Sequence, residues 1–151
     1  MQFRLNVRAI RRHYRWVEKK CGVSGAQLWA MAEVEASPGI KVSELARELG
    51  IHQSTASNLL DKLQQVGLID RKRTGDDQRV VRLQLTSKGR QVLRRAPKPR
   101  RGVLQQALMD LPMSSLKSLH RHLAAVTARM HVVDHDARTI PLSDVIDTAA
   151  R

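Results

Sequence analysis

The sequence carries one cysteine, Cys21, in 151 residues. That excludes an intrachain disulfide framework and any zinc module built from several cysteines. Aromatic residues are as scarce: Phe3, Tyr14, Trp16 and Trp29 are all of them, and all lie within the first 29 positions. Recognition of single-stranded nucleic acid usually rests on aromatic platforms spread over the binding face, so a winged-helix RNA-binding module is disfavoured. No apolar run approaches the ~18 residues of a membrane span, and the N-terminus lacks the apolar core of a signal peptide. A cytoplasmic protein with no membrane partner is expected. There is no G-x-S-x-G elbow, no H-E-x-x-H pair and no glycine-rich phosphate loop, so neither an enzyme nor a cofactor is expected. Acidic residues are few, 14 against 27 Lys plus Arg, for a formal net charge of +13. An excess of that size points to a polyanionic partner.

With 42% hydrophobic residues the chain can build one ordinary core. Its charge is unevenly placed. Residues 1–20 hold seven basic side chains against Glu18 alone, residues 41–90 hold ten basic and six acidic, and residues 91–101 hold five basic and none acidic. The tail 132–151 reverses the sign, with four Asp against Arg138 and Arg151. An even solvating coat would not be distributed this way.

Both ends predict helices with narrow apolar seams. Phe3, Val7, Ile10, Tyr14, Val17 and Cys21 follow one another at alternating spacings of 4 and 3. So do Leu116, Leu119, Leu123, Val126, Met130 and Val133. Such helices serve either as core helices of one chain or as a seam between two copies. The regularity at both ends favours a homodimer through Phe3, Val7, Ile10, Tyr14, Leu116, Leu119, Leu123, Val126 and Met130.

The centre is the most informative stretch. Pro38-Gly39 marks a turn, Ser43 is the expected N-cap of a short helix, and Gly50 ends that helix. A second helix is predicted over 54–66, with Ala56, Leu59, Leu60 and Leu63 on its inner face. Ala46, Gly50 and Ala56 supply the small contacts and the tight turn of a helix-turn-helix. Outward go Gln53, Ser54, Thr55, Ser57, Asn58, Asp61 and Lys62, short donors and acceptors suited to base edges and phosphates of double-stranded DNA. After Gly67 the periodicity changes to 2. Residues 68–73 and 79–85 read as strands of a basic hairpin with its tip at 74–78, and Thr86 caps the next helix. A basic hairpin behind a helix-turn-helix is a wing, and its arginines suit a minor groove.

The run SELARELGIHQSTASNLLDKLQQVGLIDRKRTGDDQRVVRLQLTSKG resembles the winged helix-turn-helix of the MarR family of bacterial transcription regulators. Upstream, SGAQLWAM resembles that family's second helix, so the likeness covers about 24–90. Its most specific element is Asp77-Gln78-Arg79, matching the D-x-R of the family's wing. The resemblance implies a mainly α fold with a minor β component. It implies a repressor bound as a homodimer to a near-palindromic operator and relieved by a small-molecule effector. Gln53, Ser54, Thr55, Ser57, Asn58 and Lys62 would face the major groove, and Arg71, Arg73, Asp77 and Arg79 would form the wing contact, with Asp77 bracing Arg79.

Ala96-Pro97-Lys98-Pro99 departs from the family's uninterrupted helix after LTSKG, because proline removes a donor and clashes with the preceding turn. The expected pieces are 87–95 and 101–110. The basic residues between them would contact phosphates or form a solvated hinge. The expected organisation is 1–23 with 101–133 for dimerisation, 24–95 for DNA and 134–151 as an acidic tail. A winged-helix module for RNA or protein interaction, or a metal- or redox-responsive regulator of the same fold, is the alternative. Cys21 beside Lys19 and Lys20 is its redox candidate, though the seam position reads as packing. His131 and His135 lack a placed third ligand, so no metal is assigned. His13, Tyr14, Trp16 and Trp29 are the candidate lining of an effector pocket.

Overall fold

The computed structural model describes residues 1–73, 81–131 and 140–148. Eight helices and two strands are found among them: α1 (Gln2–Cys21), α2 (Gly25–Ala36), α3 (Val42–Leu49), α4 (Gln53–Gln65), β1 (Ile69–Arg73), β2 (Val81–Leu85), α5 (Ser87–Arg95), α6 (Val103–Met109), α7 (Met113–Thr127) and α8 (Leu142–Thr148). No described helix is long and apolar enough to cross a membrane.

Local chemistry sets most boundaries. Gly22 closes α1 in the left-handed conformation at φ 68°. Ser24 and Gln27 form a reciprocal capping box at the start of α2: the Gln27 amide N–H donates to Ser24 Oγ at 3.2 Å and the Ser24 N–H donates to Gln27 Oε1 at 2.8 Å. Gly50, at φ 65°, makes the turn between α3 and α4, while Ala46 and Ala56 are buried on either side of it. The helix-turn-helix is therefore built as its small residues suggest.

Ser43 is not the N-cap of α3. The helix begins two residues earlier than that cap would set, at Val42, with Lys41 as the capping residue. The Lys41 N–H donates to the Glu44 carboxylate at 2.9 Å, and Lys41 also bridges to Arg82 on β2. Pairing with the sheet thus decides where the helix starts, and a side-chain preference at Ser43 cannot override it.

β1 and β2 pair antiparallel from Ile69↔Leu85 to Arg73↔Val81. Leu83 and Leu85 turn into the core, as the alternation requires. The Gly39 N–H donates to the Leu83 carbonyl at 2.9 Å, and the Leu83 N–H to the Ile40 carbonyl at 3.1 Å, so the 39–41 segment backs the hairpin. Thr86 caps α5 by accepting from the Gly89 N–H at 2.9 Å, while its hydroxyl donates to the Gly67 carbonyl at 2.8 Å. A Cβ at Gly89 would strike the Leu68 carbonyl, which is why glycine stands there. The core gathers Val17, Leu28, Met31, Val34, Leu45, Leu60, Leu63, Ile69, Leu83 and Leu93 from α1 to α5 and the hairpin.

The proline break falls where expected, between α5 and α6, with Lys98-Pro99 in cis. Two of its arginines neither form a solvated hinge nor stand free for phosphate. Arg100 pairs with Glu35 at 2.9 Å and Arg101 with Glu33 at 2.9 Å, pinning the break to α2. Lys98, Arg94 and Arg95 are exposed. A second break at Leu111-Pro112 separates α6 from α7.

The terminal seams differ from expectation in two ways. Ile10 and Tyr14 are buried by the chain itself: Tyr14 lies against Gly25 of α2, and both belong to the protomer's interior. Two residues proposed for the interface between copies are thus occupied within one. At the other end α7 stops at Thr127, and Met130 lies beyond it. The chain leaves the helix through i→i−3 bonds, from the Arg129 N–H to Val126 and from the Met130 N–H to Thr127. Val133 lies outside the described residues. No residue of α7 is buried in the chain.

Candidate nucleic-acid interface

Helix α4 is locked on one side and open on the other. Ala56, Leu59, Leu60 and Leu63 are buried, fixing its rotation about its own axis. Gln53, Ser54, Asn58 and Lys62 are exposed, and Thr55 and Ser57 are half-buried. No side chain caps its N-terminus, so the helix presents the positive end of its dipole on the same side as the polar face. At the far end Lys88 Nζ donates to the Val66 carbonyl at 2.8 Å, anchoring the exit.

Arg71 has a different place from the one sequence reasoning assigns. Its guanidinium pairs with Asp61 at 2.7 Å and donates to the Ser57 carbonyl at 3.1 Å, both on α4. It is half-buried and spent on holding the helix against β1 rather than turned outward as a wing contact. Arg73 is exposed at the end of β1. Asp77 and Arg79 lie outside the described residues. The signal for Arg71 was Asp61, an outward carboxylate ten residues upstream that needs a cation.

The four aromatic and imidazole candidates do not share one pocket. His13 and Trp16 line a groove on one flank of α1 with Leu5, Arg12 and Val103. Tyr14 and Trp29 line a cavity of about 260 Å³ on another side, with Ile51, Arg101, Gln105 and Pro141. Successive helical positions are turned by about 100°, so residues 13 and 16 share a flank that residue 14 does not. The Trp29 indole N–H donates to Glu33 Oε1 at 2.8 Å, and Glu33 also holds Arg101. Gln105 Oε1 is a buried acceptor without a hydrogen-bond partner.

Burial pushes the His13 imidazole below its ordinary pKa, opposed by a hydrogen bond to the Pro99 backbone. Burial raises the Cys21 thiol, with Lys20 pulling the other way, so burial opposes the reactive thiolate that redox sensing needs. Among the described residues no three His, Cys, Asp or Glu side chains are grouped to hold a metal. His135, Asp134 and Asp136 lie outside them.

The MarR family model matches residues 22–80, from just after α1 through β1 to the residue before β2. The transcriptional repressor MprA of Escherichia coli (strain K12) is 28% identical over 120 residues, covering 78% of this chain and 68% of MprA. The HTH-type transcriptional repressor MdtR of Bacillus subtilis (strain 168) is 37% identical over 71 residues, 47% of this chain and 46% of MdtR. Among solved structures, the transcriptional repressor CouR bound to a 23-mer DNA duplex superposes with a TM-score of 0.59 at 29% identity, covering 85% of this chain and 89% of CouR. Helix order, hairpin, sequence likeness and superposition agree: residues 22–80 match the MarR family in a winged helix-turn-helix, and the chain is similar over most of its length to the transcriptional repressors MprA and CouR.

Proposed function

We propose that this protein is a transcriptional repressor, not an enzyme, that binds double-stranded DNA in the cytoplasm as a homodimer. The observation that carries the reading is α4 itself. Its apolar side is fixed in the core, and its amide, hydroxyl and lysine side chains stand at the surface beside a basic hairpin. MprA and MdtR are named as repressors, and CouR is seen on a duplex. Exposed amides and hydroxyls on a helix face are costly to desolvate unless a partner replaces their water, and base edges do so.

Each protomer places α4 in a major groove, with half-sites about one helical turn apart, ~34–36 Å. Gln53, Ser54, Thr55, Ser57, Asn58 and Lys62 contact bases and phosphates, and Arg73 and Arg79 reach the flanking minor groove. Asp77 braces Arg79. Arg71 contributes through Asp61 and Ser57, setting the pitch of α4. The region 24–95 is the DNA-binding unit. The ends 1–23 and 101–133 join the copies, led by Phe3, Val7, Leu116, Leu119, Leu123 and Val126, with 134–151 as an appendage. A small aromatic effector fits the 260 Å³ cavity beside Tyr14 and Trp29, where a hydroxyl would satisfy Gln105 Oε1.

Selection from a random duplex pool, followed by anisotropy titration of the selected duplex, tests this reading. Asn58→Ala should relax preference at one position per half-site by ~1–3 kcal/mol. Arg79→Ala should weaken binding to all sequences and flatten the salt dependence by about one contact. Unchanged binding by both variants would remove α4 and the wing from the DNA surface.

A further inference from the structure

The acidic end of the chain folds back onto the DNA-reading side. Residues 140–148 pack on α1 and α2, with Pro141 buried and Ser143 only 2% exposed. The Asp144 and Val145 N–H groups both reach the Pro141 carbonyl, starting α8 there. Ser143 Oγ donates to the Asp144 carboxylate at 2.9 Å. Pro141 and Asp144 line a groove of about 840 Å³ together with Glu18 of α1, Ser24 and Gln27 at the start of α2, and Thr55, Asn58 and Lys62 of α4.

That groove runs along one flank of the helix assigned to the major groove. A duplex seated on α4 must carry a phosphodiester strand past each flank of the helix. On this flank a proline and a carboxylate already stand. The segment comes from the one acidic stretch of a chain with net charge +13, so the field that draws phosphates also draws it.

We propose that segment 140–148 is an autoinhibitory latch that occupies the phosphate path beside α4 and must leave before DNA can seat. The inference rests on the reading of α4 as the recognition helix. The latch holds by burying Pro141 and Ser143 against α1 and α2, and it competes by placing Asp144 in the groove that Lys62 also lines. Binding of DNA selects the open form, so apparent affinity is lowered by the fraction of protein that is latched.

The test uses the full chain and the duplex recovered by selection. Ser143→Arg cannot be accommodated at a buried position and should unseat α8. Asp144→Asn, at an exposed position, removes the charge and keeps the fold. Each should tighten DNA binding, Ser143→Arg by about threefold to tenfold. The salt slope of Asp144→Asn should steepen, because Lys62 would then release more counterion on binding DNA. In hydrogen exchange, the backbone amides of α8 should be protected in the free protein and lose protection when the duplex is added. Affinities unchanged or weakened in both variants, or α8 protection that persists on DNA, would overturn the latch. Lys62→Ala separates the two readings. If it weakens binding while the latch variants do nothing, α4 is the reader and the latch is wrong. If Lys62→Ala and Asn58→Ala both bind like the parent, the assignment of α4 fails and the latch fails with it.

Discussion

At the scale of single residues, the most consequential side chains act inside the protein. Arg71 ties β1 to α4 through Asp61 at 2.7 Å and Ser57 at 3.1 Å. A partly exposed pair of this kind is worth about 1 kcal/mol, so Arg71→Ala should lower the unfolding free energy by roughly that amount. Its effect on DNA should exceed its effect on stability, because the helix loses its fixed pitch. Denaturant melts beside anisotropy titrations separate the two. If Arg71→Lys restores stability but not affinity, the two-point hold of Nη2 on Asp61 and Ser57 is what matters, since the flexible lysine stem does not fix its nitrogen as the planar guanidinium does. Gly89 makes an opposite point. An alanine there meets the Leu68 carbonyl, so Gly89→Ala should destabilise by about 1–3 kcal/mol through overpacking.

His13 carries a pH dependence whose sign follows from burial. Its pKa in the fold lies below the ordinary 6.5, so the unfolded chain binds the proton more readily. The contribution is fully present above about pH 6.5 and is lost as pH falls from there through the lower folded value. Chemical denaturation across that window should show stability declining toward acid. His13→Gln, which keeps a donor for Pro99, should flatten that decline.

Whole elements were legible where periodicity and capping agree. α1, the helix-turn-helix, the two strands of the hairpin and the Thr86 cap follow from apolar spacing and from Gly50, Gly67 and Thr86. The break at Pro97–Pro99 was legible too, because proline acts locally. What escaped depends on partners far away in sequence. Arg100 and Arg101 find Glu35 and Glu33 across some 65 residues, and no local pattern signals that pairing. Lys41 starts α3 because β2 holds it, not because of its own side chain. His13, Tyr14 and Trp16 look like one cluster on paper, but Tyr14 lines a different side of α1 from the flank that His13 and Trp16 share. The polar face of α4 could be read because it is the complement of a strict apolar stripe. The latch beside it could not, because its residues carry no periodic signal long enough to place them.

For the molecule as a whole, α7 is the element that one copy leaves unexplained. It spans 15 residues and buries none of them in the chain. Leu123 is 50% and Val126 57% exposed, and at the other end of the chain Phe3 is 75% exposed. An isolated helix of about 15 residues is marginal in water, since few hydrogen bonds offset the cost of nucleation. The proposed homodimer would bury it against a second surface, for which the exposed apolar residues of the N-terminal half of α1 offer an edge. A second copy of the chain satisfies both at once through a two-fold axis. Sedimentation should give a mass twice 17.1 kDa. Leu119→Glu with Leu123→Glu should return the single-chain mass and remove helical circular dichroism equivalent to α7, while the core melts as before. DNA affinity should fall by about 10² or more, because two half-sites no longer bind as one linked event. A double variant that keeps the twofold mass would place the homodimer on another face, and one that turns monomeric yet keeps α7 helical would show that the helix needs no partner to fold.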